Sequence, residues 1–210
     1  MDLPLHPAFF SFENSTTVRS SDGAVLVPAA GLPPREPSFR LRTAGPDDRE
    51  GVAAFLARLD RETRYLRHWS HAEAANDRLL ERLAAVDHRE REALVAVAPR
   101  HGGEWIVGHA EYAPDTDCTI PAAGCGVEAG LVVEADWRRR GVGKALLAGL
   151  ARLAAAAGWQ RIYGEVLHGN EAMLGLARGL GFRLGRSGDP RTLRIERGLP
   201  FGVGVPTPKG

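Results

Sequence analysis

The sequence predicts a single α/β domain with a mixed, mostly antiparallel sheet flanked by helices, and three observations carry that reading. Val127, Ala129, Leu131 and Val133 alternate with Glu128, Gly130 and Val132, a period of two that fits a strand ending near Glu134. The period then changes: Leu146, Leu147, Leu150, Leu153, Ala154 and Ala157 recur at helical spacing until Gly158, a natural C-terminal stop. Upstream, residues 94–98 and 105–112 read as two strands joined by a turn at His101-Gly102-Gly103, the hairpin of an antiparallel sheet. A chain of 210 residues with 44% hydrophobic content can bury a full core without staples.

The remaining elements follow in order. Residues 1–38 are rich in Pro, Ser and Gly, and Pro28, Pro33, Pro34 and Pro37 forbid a long helix, so this stretch reads as an arm. Residues 39–42 alternate as a first strand, opening a domain that spans residues 39–197. Pro46-Asp47-Asp48 supplies helix-start chemistry for an amphipathic segment carrying Val52, Phe55, Leu56 and Leu59, and a second helix covers about residues 71–85. After the central strand and helix, residues 161–168 read as a strand, 170–180 as a short helix and 191–197 as a final strand; residues 198–210 form a Gly/Pro-rich tail.

Composition excludes several function classes. A formal net charge of +1 gives no general affinity for nucleic acid or anionic membrane. No apolar run approaches the length of a membrane span, and Met1-Asp2-Leu3-Pro4 lacks a charged-then-apolar leader, so a cytoplasmic protein is expected. Cys118 and Cys125 are too few for a disulfide framework and lack zinc spacing, which predicts reduced thiols. His68 and His71 have no third ligand at matching spacing, so no metal is expected.

Function concentrates in Arg138-Arg139-Arg140-Gly141-Val142-Gly143-Lys144, between the central strand and the following helix. Gly141 and Gly143 sit on the turn that opens this helix, where unpaired N–H groups and the positive end of the dipole attract phosphate. The arginines supply complementary charge for a pyrophosphate, with Lys144 a weaker candidate. A nucleoside triphosphate loop fits poorly, because Ala145 rather than Ser or Thr follows Lys144. A dinucleotide fingerprint would need a third glycine where Leu146 stands. What remains is R-x-x-G-x-G.

With Leu131-Val132-Val133 upstream and Asn170 and Gly181-Phe182 downstream, this pattern resembles the GNAT superfamily of acyl-CoA-dependent N-acyltransferases over residues 39–197. The resemblance implies a GNAT-like fold, acetyl-CoA as co-substrate, and pantetheine lying along the backbone of Leu131, Val132 and Val133 where neighbouring strands splay apart. Within the superfamily the chain is similar to the Pat-like protein lysine acetyltransferases. Arg64-Tyr65-Leu66-Arg67-His68-Trp69 resembles their arginine-aromatic segment, with His68-Trp69 where two phenylalanines are usual. Glu128, nine residues before Trp137 in E-x-x-x-V-V-x-x-D-W, lies at the position of their catalytic glutamate, and Asn170-Glu171-Ala172-Met173-Leu174 resembles their N-x-x-M-L helix start. This implies Glu128 as general base, Asn170 and Met173 beside the cofactor, and Arg64, Tyr65 and Arg67 at the acceptor entrance.

Such chemistry needs a base. A lysine amine with a reference pKa near 10.4 is neutral in only about one molecule in two or three thousand at pH 7, so attack on a thioester requires deprotonation. Apolar neighbours along the strand would tune Glu128 toward the working range if it is buried. The superfamily's usual general acid, a tyrosine seven residues after the asparagine, is replaced by Ala177; Tyr163 and Tyr112 are alternative donors, or a thiolate leaves without assistance. Asn170 could equally cap its helix. The expected activity is acetyl transfer to a primary amine, a protein lysine first. A small-amine acetyltransferase and a non-catalytic acyl-CoA sensor are the alternatives, and a homodimer through the N-terminal arm is left open.

Overall fold

The computed structural model describes residues 25–26, 39–63, 74–100, 103–114 and 125–200. Alternating and continuously apolar runs pair into one sheet. Its strands are β1 (Val25–Leu26), β2 (Arg40–Thr43), β3 (Glu92–Arg100), β4 (Gly103–Pro114), β5 (Gly126–Val133), β6 (Arg161–Leu167), β7 (Arg183–Arg186) and β8 (Thr192–Gly198). They lie in the order β1-β2-β3-β4-β5-β6-β8-β7, antiparallel throughout except for β5 and β6. The parallel step requires a crossover, which α3 (Val142–Ala156) supplies. Three further helices are α1 (Arg49–Arg58), α2 (Ala74–Ala84) and α4 (Glu171–Gly179).

The sheet is covered on both faces, so its central strands are apolar on both sides. One face carries Leu94, Ala110, Val127, Ile162 and Ile195 under Leu146, Leu147 and Leu150 of α3 and Leu174 of α4. The other carries Val95, Val97 and Val132 under Phe55 and Leu56 of α1 and Leu79 and Leu83 of α2. Close approach of α3 depends on two glycines. A Cβ on Gly108 would lie 2.9 Å from Leu146 Cδ1, and one on Gly149 would lie 2.8 Å from Leu94 Cδ1.

Most elements fall where the patterns put them, with three differences. The sequence reading lacks β7, because its burial pattern, exposed at three of four positions, leaves no apolar alternation to detect. Val25 and Leu26, within the Pro-rich arm, pair with Leu41 and Arg40 at the sheet edge. The expected reduced thiol is corrected at one site: Cys125 is disulfide-bonded. Spacing and composition carry no geometric information about whether two cysteines meet.

Candidate functional site

The site forms where β5 and β6 part. The two strands pair only at Gly126↔Arg161, Val127↔Ile162 and Glu128↔Tyr163, whereas β5 stays paired with β4 to Val133 and β6 with β8 to Leu167. Residues 129–133 of β5 therefore present one backbone edge without a strand partner among the described residues. Unsatisfied strand edges are sites where an extended, amide-bearing ligand can pair. At the apex the strands are still close: a Cβ on Gly164 would stand 2.8 Å from the Ala129 carbonyl oxygen.

Side-chain alternation sorts the lining. Val127, Ala129, Leu131 and Val133 pack with the core beneath α3, while Val132 belongs to the core beneath α1 and α2. Glu128 shares the Val132 face but is exposed. Its registered neighbour Tyr163 projects to the same face, and the Arg194 guanidinium lies 3.6 Å from the centre of the Tyr163 ring. Arg194 Nε in turn donates to Glu196 Oε2 at 3.1 Å. Tyr112, the other donor considered, is 3% exposed under α3, and burial, reinforced by the Glu92 and Asp87 charges, pushes its hydroxyl well above the ordinary tyrosine range. Ala177 is wholly buried in the same core.

At its open end β5 runs through a 3₁₀ turn, Ala135–Trp137, into the glycine-rich loop. Arg139 has φ +61 and Gly141, the N-cap of α3, has φ +84, with open space around its Cα and no side-chain cap. The first N–H groups of α3 have no intrahelical partner, and a 15-residue helix directs its full dipole end at this turn. Holding Arg139 in the left-handed region costs on the order of 1 kcal/mol, a cost that clusters at ligand sites.

The expected contacts divide by location. Arg139, Arg140, Gly141 and Lys144 are exposed around the turn, and Arg140 lies 5.4 Å from the Trp137 ring centre. Val142 is 1% exposed, so its side chain is core and only its backbone faces the loop. Gly143 packs toward α4, where its Cβ would meet Leu176 Cδ2 at 3.3 Å. Arg138 is half-buried and donates through Nη2 to Thr63 Oγ1. Asn170 Oδ1 accepts from Met173 N–H at 3.1 Å, so Asn170 caps α4 and Met173 supplies the capped amide. Arg64, Tyr65 and Arg67 lie outside the described residues. Three pairings had no sequence signal: Tyr163 with Arg194, Thr63 with Arg138, and Arg58 with Glu134, whose Oε1 lies 3.4 Å from Arg58 Nε. Each pairing joins residues far apart in the chain.

Residues 54–182 match the family model described as the acetyltransferase (GNAT) family, which covers more than half of the chain. The chain belongs to the GNAT acetyltransferase family. It is an acetyl-CoA-dependent N-acetyltransferase. An acetyltransferase of Pseudomonas aeruginosa is 29% identical over 157 residues, 75% of this chain and 81% of that protein. The GNAT domain of S. lividans PAT superposes with a TM-score of 0.66 at 24% identity, covering 88% of this chain and 96% of that one. A phosphinothricin acetyltransferase from Sinorhizobium meliloti, solved with acetyl-CoA, gives 0.60 at 20% identity, with 81% and 94% covered. At these identities the two structures establish the fold. Among the described residues, no helix is long and apolar enough to cross a membrane.

Proposed function

We propose that this GNAT acetyltransferase acetylates a lysine side chain on another protein, such as an acyl-CoA synthetase, by direct attack with both reactants bound. The observation that carries the reading is the β5–β6 fork with Glu128 exposed at its apex. An exposed base suits an acceptor side chain reaching in from a protein surface, whereas a small amine calls for an enclosed pocket.

The residues divide the work. The open edge of Leu131, Val132 and Val133 pairs with the pantetheine arm. Arg138, Arg139, Arg140 and the N–H groups of Gly141, Val142, Gly143 and Lys144 hold the pyrophosphate at the start of α3. Glu128 removes the ammonium proton, directly or through water, so that the neutral amine attacks the thioester carbonyl. A backbone N–H near Val132 or Val133 stabilises the developing oxyanion, a contribution of about 10² to 10³ in rate for a fixed donor. With Ala177 sealed in the core, Tyr163 is the donor positioned to protonate the departing thiolate. Asn170 acts by capping the helix that presents Met173.

The test follows CoA release from acetyl-CoA with a panel of acyl-CoA synthetases and small amines, using native protein and Glu128→Gln. Turnover on a synthetase lysine that falls about 10² to 10⁴-fold in the variant, with acetyl-CoA binding retained, is the expected result. Turnover on small amines alone would overturn the acceptor assignment, and full activity in the variant would remove Glu128 as the base.

A further inference from the structure

We infer that Thr63 and Asp60 are positioning residues that hold Arg138 ready for the pyrophosphate. The inference rests on the reading that Arg138 contacts that group. Of the three consecutive arginines, Arg139 and Arg140 are exposed, whereas Arg138 is half-buried and donates to Thr63 Oγ1. Thr63 is 4% exposed, so its hydroxyl is a fixed acceptor. The Thr63 N–H donates to Asp60 Oδ1 at 2.6 Å, closing a turn that sets the side chain.

A threonine hydroxyl has one proton and two lone pairs. It accepts from Arg138, while the Thr63 N–H holds Asp60, so Arg138, Thr63 and Asp60 stand in sequence. The Asp60 carboxyl is accordingly held below its usual range, by the Thr63 N–H first and, against the opposing effect of burial, by the Thr63 hydroxyl and the Arg138 charge. Only one of the five guanidinium N–H groups is used by Thr63, leaving the rest of the fork for an anion.

The same short segment also grips the other end of the turn. Arg58, at the close of α1, donates through Nη2 to the Ile106 carbonyl at 2.8 Å and places Nε 3.4 Å from Glu134 Oε1. Residues 58–63 therefore hold both Glu134 and Arg138, the bounds of the turn that leads into the glycine loop. An arginine fixed in advance loses less side-chain freedom when its ligand arrives.

The test measures acetyl-CoA Kd by titration calorimetry for native protein, Thr63→Val, Thr63→Ser, Arg138→Gln and the Thr63→Val/Arg138→Gln pair. Thr63→Val is expected to weaken binding about ten-fold, the scale of a lost hydrogen bond to a charged group. Thr63→Ser restores binding to within about three-fold, and Thr63→Val has no further effect once Arg138 is Gln. Should Thr63→Val not fold, Asp60→Asn tests the same arrangement, with a smaller loss expected. An equal loss in both Arg138 backgrounds would show a general packing role and overturn the inference. Weakening by Arg138→Gln without weakening by Thr63→Val would overturn the inference alone, whereas native binding by Arg138→Gln would remove the pyrophosphate contact and the inference with it.

Discussion

The proton-donor role proposed for Tyr163 rests on its register position. Tyr163 stands opposite Glu128 where the strands part, and Arg194 lies against its ring at 3.6 Å. Tyr163→Phe keeps the ring and the stacking while deleting the proposed proton donor. We expect kcat to fall about ten-fold or more with acetyl-CoA Kd unchanged, read by steady-state kinetics and calorimetry. Unchanged kcat would mean that the thiolate leaves unassisted. A second single-residue effect concerns stability. Arg42 Nη2 and Nη1 donate to Asp48 Oδ1 and Oδ2 at 2.7 and 3.0 Å, and the Gly45 N–H reaches Oδ2 at 3.2 Å. Burial raises the Asp48 carboxyl, but the Arg42 donors and charge, with the Gly45 N–H, outweigh it and hold the group below its usual range. A lowered carboxylate contributes stability above its unfolded value of about 4, and that contribution is lost as pH falls through the folded value. Asp48→Asn should therefore cost about 1 kcal/mol at pH 7, a modest figure because Arg42 is partly solvated, and should flatten the loss of stability between about pH 5 and 3. Parallel acid-unfolding curves for the two proteins would exclude this role.

Among elements, the decisive relation is between β5 and β6. Gly164 lets them approach at the apex, since any Cβ there would press on the Ala129 carbonyl at 2.8 Å, a backbone atom that cannot rotate aside. Gly164→Ala is expected to cost about 1 to 3 kcal/mol in urea unfolding and to weaken acetyl-CoA binding by moving the open edge of β5. An unchanged midpoint would mean that the strands shift freely. The fork also marks the limit of what the chain discloses. Strand β5 and helix α3 were legible because the period switches from two to 3.6 within a few residues, and Gly141 named the turn between them. The exposure of Glu128 was legible only as one of two alternatives, since alternation separates two faces without saying which helix reaches how far along the sheet. Nor could sequence find Thr63 beside Arg138, a contact across 75 residues made by tertiary packing alone. The cap role of Asn170 was legible as one of two alternatives, and the Met173 N–H decides its local geometry.

At the scale of the molecule, the sheet consists of an antiparallel half, β1 to β5, and a second half, β6 to β8, joined at a short parallel ladder of three residue pairs. Helix α3 packs beneath both halves, so its start is both the proposed anion site and the crossover that connects them. A ligand that pairs with the free edge of β5 and binds at the N-terminus of α3 reinforces this junction. Anything that binds the native state and not the unfolded chain stabilises by mass action, by about 2.7 kcal/mol at a hundred times Kd. For a chain of this size each kcal/mol moves Tm by about 2 to 4 °C, so acetyl-CoA at that concentration should raise Tm by about 5 to 10 °C. Pantetheine, which lacks the pyrophosphate, should produce a much smaller rise at equal concentration, because it forgoes the contacts at α3. Thermal unfolding followed with both compounds checks the pair: equal shifts would place the binding energy entirely along β5, and no shift with acetyl-CoA would refute both the fork and the glycine turn as its seat.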